Sequence, residues 1–201
     1  MPKIEVNEEI FYGLAGRRWN TQEEFEEALT CAKAELDSEF LLPGQGSAAT
    51  DRSLKIELND TNRPDLWSSA GCARQLRIYH GGKTQAFPFF STPGAMKPAQ
   101  HKATVEKSVC KVRPYLAGFI ARGKEITDPL LRDIIQTQEK MAWNFGRKRR
   151  SVSMGIYRTK IIKWPITYKA VDPDSVSFVP LQWDTPLTLR EILKQHPKGK
   201  E

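Results

Sequence analysis

The chain has 201 residues, 39% of them hydrophobic and 27% charged, with a formal net charge of +7. That composition belongs to a soluble globular chain, and no apolar run approaches the roughly 20 residues a membrane-spanning helix needs. The acidic start, MPKIEVNEEI, is not a signal peptide, and three cysteines (Cys31, Cys72, Cys110) without paired spacing point away from a disulfide framework or a zinc site and toward a reducing, cytoplasmic setting. The charge is uneven. Residues 1–60 hold 13 acidic and 6 basic side chains, whereas residues 140–171 hold nine basic ones and no Asp or Glu. Such a block either attracts a polyanion or is a solvated face, and the lack of acidic neighbours favours the polyanion.

In chain order, residues 3–6 read as an edge strand. Asn7 then caps a helix over 8–15 that stops at Gly16. Thr21 and Glu24 form a capping box ahead of a helix over 22–32 that buries Phe25, Ala28 and Leu29. Residues 43–50 read as a loop, in which Gly44-Gln45-Gly46 is too short to cradle a phosphate. Residues 53–58 (SLKIEL) alternate with period two, as a half-buried strand does. The turn Asn62-Arg63-Pro64-Asp65-Leu66 leads into a helix to residue 79, with Leu66, Ala70, Ala73 and Leu76 on one face and Gly71 allowing close packing. Asn62, Arg63 and Asp65 are placed to lock this turn through side-chain bonds and an ion pair.

Residues 85–107, rich in Pro, Gly and small residues, read as a linker with a short strand at 86–90. A strand is expected over 110–120, with Cys110 as a buried small hydrophobe. Asp128, as N-cap, and Pro129 start a helix whose apolar stripe includes Leu131, Ile134, Ile135, Met141, Ala142 and Phe145. Gly146 ends it, and residues 147–150 follow where positive charge suits the helix dipole. Strands are expected at 151–157, 160–169 and 176–181. A last helix over 187–195 carries the box Thr188 to Glu191, and the tail 197–201 has no structural signal. The expected fold class is α+β, with a small N-terminal α+β domain (1–84) followed by an incomplete mixed α/β domain (108–196).

No catalytic constellation emerges from the residues. His80, His101 and His196 lack the spacing of a metal pair, and no serine-nucleophile, phosphate-loop or dinucleotide motif is present.

Two stretches carry a resemblance. Asn62-Arg63-Pro64-Asp65-Leu66, followed by Gly71-Cys72-Ala73-Arg74-Gln75-Leu76, resembles the N-terminal signature of the phenylalanyl-tRNA synthetase beta-subunit family of archaeal and eukaryotic type. KVRPYLAGF, the helix ending QEKMAWNFGRKRR and the segment SVSMGIY resemble the start of that family's editing domain. The resemblance covers residues 2–195. It implies that Asn62, Arg63, Asp65, Gly71 and Arg74 are structural, that no catalytic residue and no metal site lies in this chain, and that the editing domain continues beyond it. It further implies a cytoplasmic, membrane-free assembly of two alpha and two beta subunits that uses ATP and magnesium to join phenylalanine to tRNA-Phe and edits mischarged Tyr-tRNA-Phe.

The candidate tRNA or editing-pocket residues are Arg113, Asn144, Arg147, Lys148, Arg149 and Arg150. Arg113 either faces an editing cavity or pairs with an acidic side chain. Asn144 is either a pocket group or a helix terminator. Trp143 and Trp164 either stack on a terminal base or pack in a core. The alternatives in function are a stand-alone RNA-binding module without catalysis and a free-standing trans-editing hydrolase.

Overall fold

The computed structural model describes residues 2–37, 52–59, 62–84, 86, 101–123 and 125–200. The chain divides into two compact units, residues 1–87 with 123–156, and residues 88–122 with 157–201. The expected loop at 43–50 and most of the expected strand at 86–90 lie outside the described residues.

In the first unit, strand β1 (Lys3–Asn7) runs straight into helix α1 (Glu8–Ala15). Asn7 makes the switch: its side-chain oxygen accepts the Ile10 amide at 3.1 Å. Gly16, at φ 75°, closes the helix in the left-handed conformation that glycine adopts without cost. Helix α2 (Gln22–Thr30) starts at Thr21, whose hydroxyl accepts the Glu24 amide at 3.2 Å. The Glu24 carboxylate reaches one residue further back than a simple box requires, to the Asn20 amide at 3.1 Å. Strands β2 (Ala34–Leu36) and β3 (Ser53–Leu58) complete an antiparallel sheet in the order β1-β3-β2, with Ile4 opposite Ile56 and Ala34 opposite Leu58. Sequence periodicity missed β2, because three residues are too few to show a period.

The helix expected from residue 64 onward is broken in two. Pro64–Leu66 forms a single 3₁₀ turn, and helix α3 (Ser69–Tyr79) starts afresh at Ser68, whose hydroxyl accepts the Gly71 amide at 3.1 Å. The restart rotates the buried face. Cys72, Ala73 and Leu76 are buried, whereas Ala70, expected on that face, is exposed.

One face of this sheet packs under α1, α2 and α3. Ile4, Val6, Leu54, Ile56 and Leu58 meet Phe11, Phe25, Leu29 and Leu76, all nearly inaccessible to solvent. Phe11, Tyr12, Trp19 and Phe25 form an aromatic group of edge-to-face and tilted pairs, with ring centroids 5.1–6.2 Å apart. Within this core Glu8 is almost fully buried and pairs with Arg52 at 3.0 Å. Burial pushes the Glu8 carboxyl above its usual range, opposed by Arg52 and Arg18. Burial, with Glu8 adding, pushes the Tyr12 hydroxyl up to about 12.

Helix α4 (Asp128–Lys140) belongs to this first unit, although the sequence groups it with the later residues. Three side chains tie it there. Ser69 donates to the Asp133 carboxylate. Gln136 takes the Glu5 amide at 2.7 Å and donates to the Glu5 carbonyl at 2.9 Å. Its amide group thus acts as a one-residue strand on the open edge of β1. Asp128 is the first residue of α4 rather than its cap; Thr127 precedes it. Leu131 and Ile135, expected in a buried stripe, are exposed, and Ala142 is buried.

The second unit is made of short pieces. Strand β4 (Ala103–Val105), inside the expected linker, pairs in parallel with β5 (Ile166–Tyr168). Strand β6 (Ser177–Phe178) pairs antiparallel with β7 (Leu187–Thr188), which leads into helix α5 (Leu189–Gln195). The expected box is present: the Thr188 hydroxyl accepts the Glu191 amide at 3.2 Å, and Glu191 accepts the Thr188 amide at 2.8 Å. A further helical turn, α6 (Pro197–Lys200), lies in the tail.

The strand expected over 110–120 is absent. A 3₁₀ turn, Lys107–Val109, precedes Cys110, which is exposed rather than buried, and residues 113–123 form no ladder. Apolar residues are plentiful there, but a strand exists only where a neighbour completes its hydrogen bonds. Residues 151–157 likewise form no strand, and the last two expected strands shrink to Ile166–Tyr168 and Ser177–Phe178.

Candidate nucleic-acid interface

The turn at residues 62–66 is locked from two sides. Arg63 grips Asp65 with Nε and Nη2, both at 2.9 Å, and Arg74 stands 3.7 Å from the same carboxylate. These cations hold the Asp65 carboxyl below its ordinary range, Arg63 foremost. Arg63 also reaches Gln75 at 3.5 Å, and Gln75 donates to the Cys31 carbonyl at 3.3 Å. One arginine therefore joins the turn, α3 and the end of α2. Asn62 is exposed and has contacts of its own. Gly71 is fixed by space: a Cβ there would lie 1.6 Å from the Asp65 carbonyl oxygen. This group organises backbone.

The basic block starts where α4 ends. The helix widens into a π-type turn, Met141–Phe145, and Gly146 caps it. Arg147, Lys148 and Arg149 then hold φ of 50°, 57° and 65°. Such left-handed backbone costs a residue with a side chain about 1–2 kcal/mol. Their amides donate in reverse order to the carbonyls of Asn144, Trp143 and Ala142, at 3.2, 2.7 and 2.8 Å. The reversal turns Arg147, Lys148 and Arg150 out to solvent. Arg149 is half-buried and 3.5 Å from Glu139, and the Lys148 ammonium lies 5.2 Å from the centre of the Trp143 ring.

The other candidates are more scattered. Asn144 is exposed, and its carbonyl serves the turn. Arg113 is half-buried in the second unit, where its carbonyl accepts the Tyr168 hydroxyl at 3.1 Å. Arg158, Lys160, Lys163 and Lys169 also belong to the second unit, so the contiguous block of sequence is divided between two bodies. Trp164 is half-buried against His101, with ring centroids 4.7 Å apart. Among the described residues no three His, Cys, Asp or Glu side chains converge to hold a metal ion. Also among them, no helix is long and apolar enough to cross a membrane.

Comparison with known proteins finds relatives of one kind. The chain is 41% identical over its full 201 residues to the phenylalanine–tRNA ligase beta subunit of Borreliella afzelii, and 42% identical to that of Treponema pallidum, again with the whole chain covered. It superposes with a TM-score of 0.78 and 34% identity on an N-terminal fragment of the phenylalanyl-tRNA synthetase beta subunit from Pyrococcus horikoshii, covering 99% of this chain and 54% of that one. The chain is a relative of phenylalanine–tRNA ligase beta subunits. No family model matches it. It spans 34–38% of the length of these two curated relatives.

The beta-subunit resemblance read over residues 2–195 thus holds over the whole chain and its fold. Two features of this beta-subunit relative had no signal in the sequence. One is the buried Glu8–Arg52 pair, since a glutamate in a first helical turn reads as a solvated dipole partner. The other is the clamp of Ser69 and Gln136 on α4, whose partners lie 64 and 131 residues apart in the chain. The left-handed turn was equally hidden, because it contains neither glycine nor asparagine at its three positions.

Proposed function

We propose that this chain works as the N-terminal part of a phenylalanine–tRNA ligase beta subunit, supporting attachment of phenylalanine to tRNA-Phe from within an assembly with the alpha subunit. The observation that carries the reading is the match over the whole chain at 41% identity, joined to a 0.78 TM-score against a beta-subunit fragment. The assembly is two alpha and two beta subunits in the cytoplasm. ATP and magnesium act elsewhere in it.

Residues 108–196 belong to an editing domain that hydrolyses Tyr-tRNA-Phe. Tyrosine exceeds phenylalanine by one hydroxyl, so an editing site gains selectivity by hydrogen-bonding that group, which phenylalanine leaves unpaired. Arg113, Asn144, Arg147, Lys148, Arg149 and Arg150 are the residues proposed for tRNA contact or for editing. The described residues supply positive charge and architecture for this task, and no nucleophile activated by a neighbouring base.

The experiment is co-expression of the chain with a phenylalanine–tRNA ligase alpha subunit, followed by affinity capture and filter binding of tRNA-Phe across a salt series. Capture of the alpha subunit, with tRNA retention that weakens steeply with salt, is the expected result. A chain that captures no alpha subunit and retains no tRNA-Phe at low salt would overturn the reading.

A further inference from the structure

The three cysteines are far apart in the sequence, yet the fold brings two of them to one place. Cys31 closes α2, where its amide donates to the Ala28 carbonyl at 3.3 Å, and it is half-buried against the core. Cys72 lies near the start of α3 and is fully shut off from solvent within that same core. Gln75 joins the two. It follows Cys72 by three residues on α3, and its side-chain amide donates to the Cys31 carbonyl at 3.3 Å. A helical side chain leans back over the turn that precedes it, so the group Gln75 holds lies over the turn that carries Cys72.

Burial pushes the Cys72 thiol up to about 12, with the nearby Cys31 adding to the rise, and burial pushes the Cys31 thiol up as well. Both therefore rest as protonated, free thiols. Cys110 differs in both respects, since it is exposed and belongs to the second unit. Of the two thiols at the core, one is open to small reagents and the other is reached only through it. That is the layout of a thiol that reacts and a thiol that resolves the product.

We propose that Cys31 and Cys72 form a reversible oxidation site, at which hydrogen peroxide closes a disulfide between the end of α2 and the start of α3. The Cys31 sulfur attacks the peroxide and the O–O bond breaks. One oxygen stays on the sulfur as a sulfenic acid, and the other leaves as water. The Cys72 sulfur then displaces the bound oxygen, which leaves with the Cys72 proton as a second water. One S–S bond forms, each sulfur gives up one electron, and the peroxide is reduced. A small dithiol reverses the step by exchange. The loop so closed is about 40 residues long, and its bridge ties together two of the helices that cover the sheet. The site draws on no feature of the beta-subunit reading.

The full folded chain is treated with hydrogen peroxide, quenched, unfolded and alkylated, then read by intact mass and by peptide mapping without reductant. Cys31→Ser, Cys72→Ala and Cys110→Ser are treated alongside, as is the parent chain in denaturant. The folded parent and Cys110→Ser are expected to lose two hydrogen atoms, to yield a peptide that joins Cys31 to Cys72, and to regain both thiols with dithiothreitol. Cys31→Ser and Cys72→Ala yield no cross-link within the chain. In denaturant the three possible loops close at similar entropic cost, so the three pairings appear in comparable amounts. The bridged parent melts about 5–10 °C above the reduced one.

The proposal is overturned if the folded parent gives the mixture of pairings found in denaturant, if its cross-links run to Cys110, or if Cys31 advances to the sulfinic acid while Cys72 stays a free thiol. No cross-link at a dose that fully oxidises Cys110 overturns it too, because the exposed thiol shows that the oxidant was active. A lower midpoint in the bridged chain would mean that the two helices must be forced together, and the site falls with their juxtaposition. The parent reports the pairing by itself, so a variant that fails to fold takes nothing from the test.

Discussion

At the residue scale, Gly71 shows how one missing carbon couples a turn to a helix. The Asp65 carbonyl occupies the space a side chain would need, and Asp65 is itself held by Arg63 and Arg74. Neither side can yield cheaply, since the turn is pinned by the arginine fork and α3 is packed through Cys72, Ala73 and Leu76. Gly71→Ala is therefore expected to destabilise the first unit by about 3 kcal/mol or more, read as a lower denaturation midpoint with an unchanged slope. An alanine variant as stable as the parent would mean that the turn and α3 do not meet as described. Part of this was legible in the sequence: close packing at the glycine, and an ion pair within Asn62-Arg63-Pro64-Asp65. The identity of the close neighbour was not, because a backbone carbonyl leaves no trace in residue type. For the same reason Cys110 reads as buried from its apolar neighbours and is exposed in the fold.

At the scale of elements, local chemistry was legible and pairing was not. Asn7, Thr21 and Thr188 announce their helices because a cap is settled within four residues. Strand β2 and the absent strand at 110–120 depend on partners far along the chain, which no local pattern encodes. The placement of α4 is the clearest case. Its own sequence predicts a helix, but its attachment to β1 is made by Gln136, a residue with no apolar or charge signature. Since Gln136 satisfies both the amide and the carbonyl of Glu5, Gln136→Ala would open one strand-edge position. The expected cost is about 1–2 kcal/mol for the two bonds. The sharper readout is hydrogen exchange, in which the Glu5 amide should lose protection while Ile4 and Val6 amides change far less. Equal protection of Glu5 in variant and parent would show that α4 does not guard this edge.

For the molecule as a whole, burial is very unequal between the two units. The contiguous core, from Ile4 to Leu76, lies entirely in the first unit. Among the described residues of the second unit only Val109 and Leu187 are buried hydrophobics, while Tyr115, Phe119 and Leu181 are 86–90% exposed. Burial of apolar surface is the main favourable contribution to folding, at about 25 cal/mol per Å², and ordering a residue's backbone costs about 1–2 kcal/mol. Two-residue and three-residue strand pairs cannot offset that cost without a core beneath them. The second unit is therefore expected to open at lower denaturant than the first. Tryptophans stand in both, with Trp19 and Trp67 buried in the first and Trp164 and Trp183 in the second, so single-tryptophan variants report on each. Peptide-resolved hydrogen exchange should find amides of β3 and α3 protected at denaturant concentrations where those of β4, β5 and α5 already exchange freely. Coincident transitions for the two sets would mean that the second unit draws its stability from the first, and that the apolar side chains at 112–120 are covered in solution. If the transitions separate, the second unit holds its short strand pairs without help from the core of Ile4 to Leu76, and the exposed side chains at 112–120 add nothing to its stability.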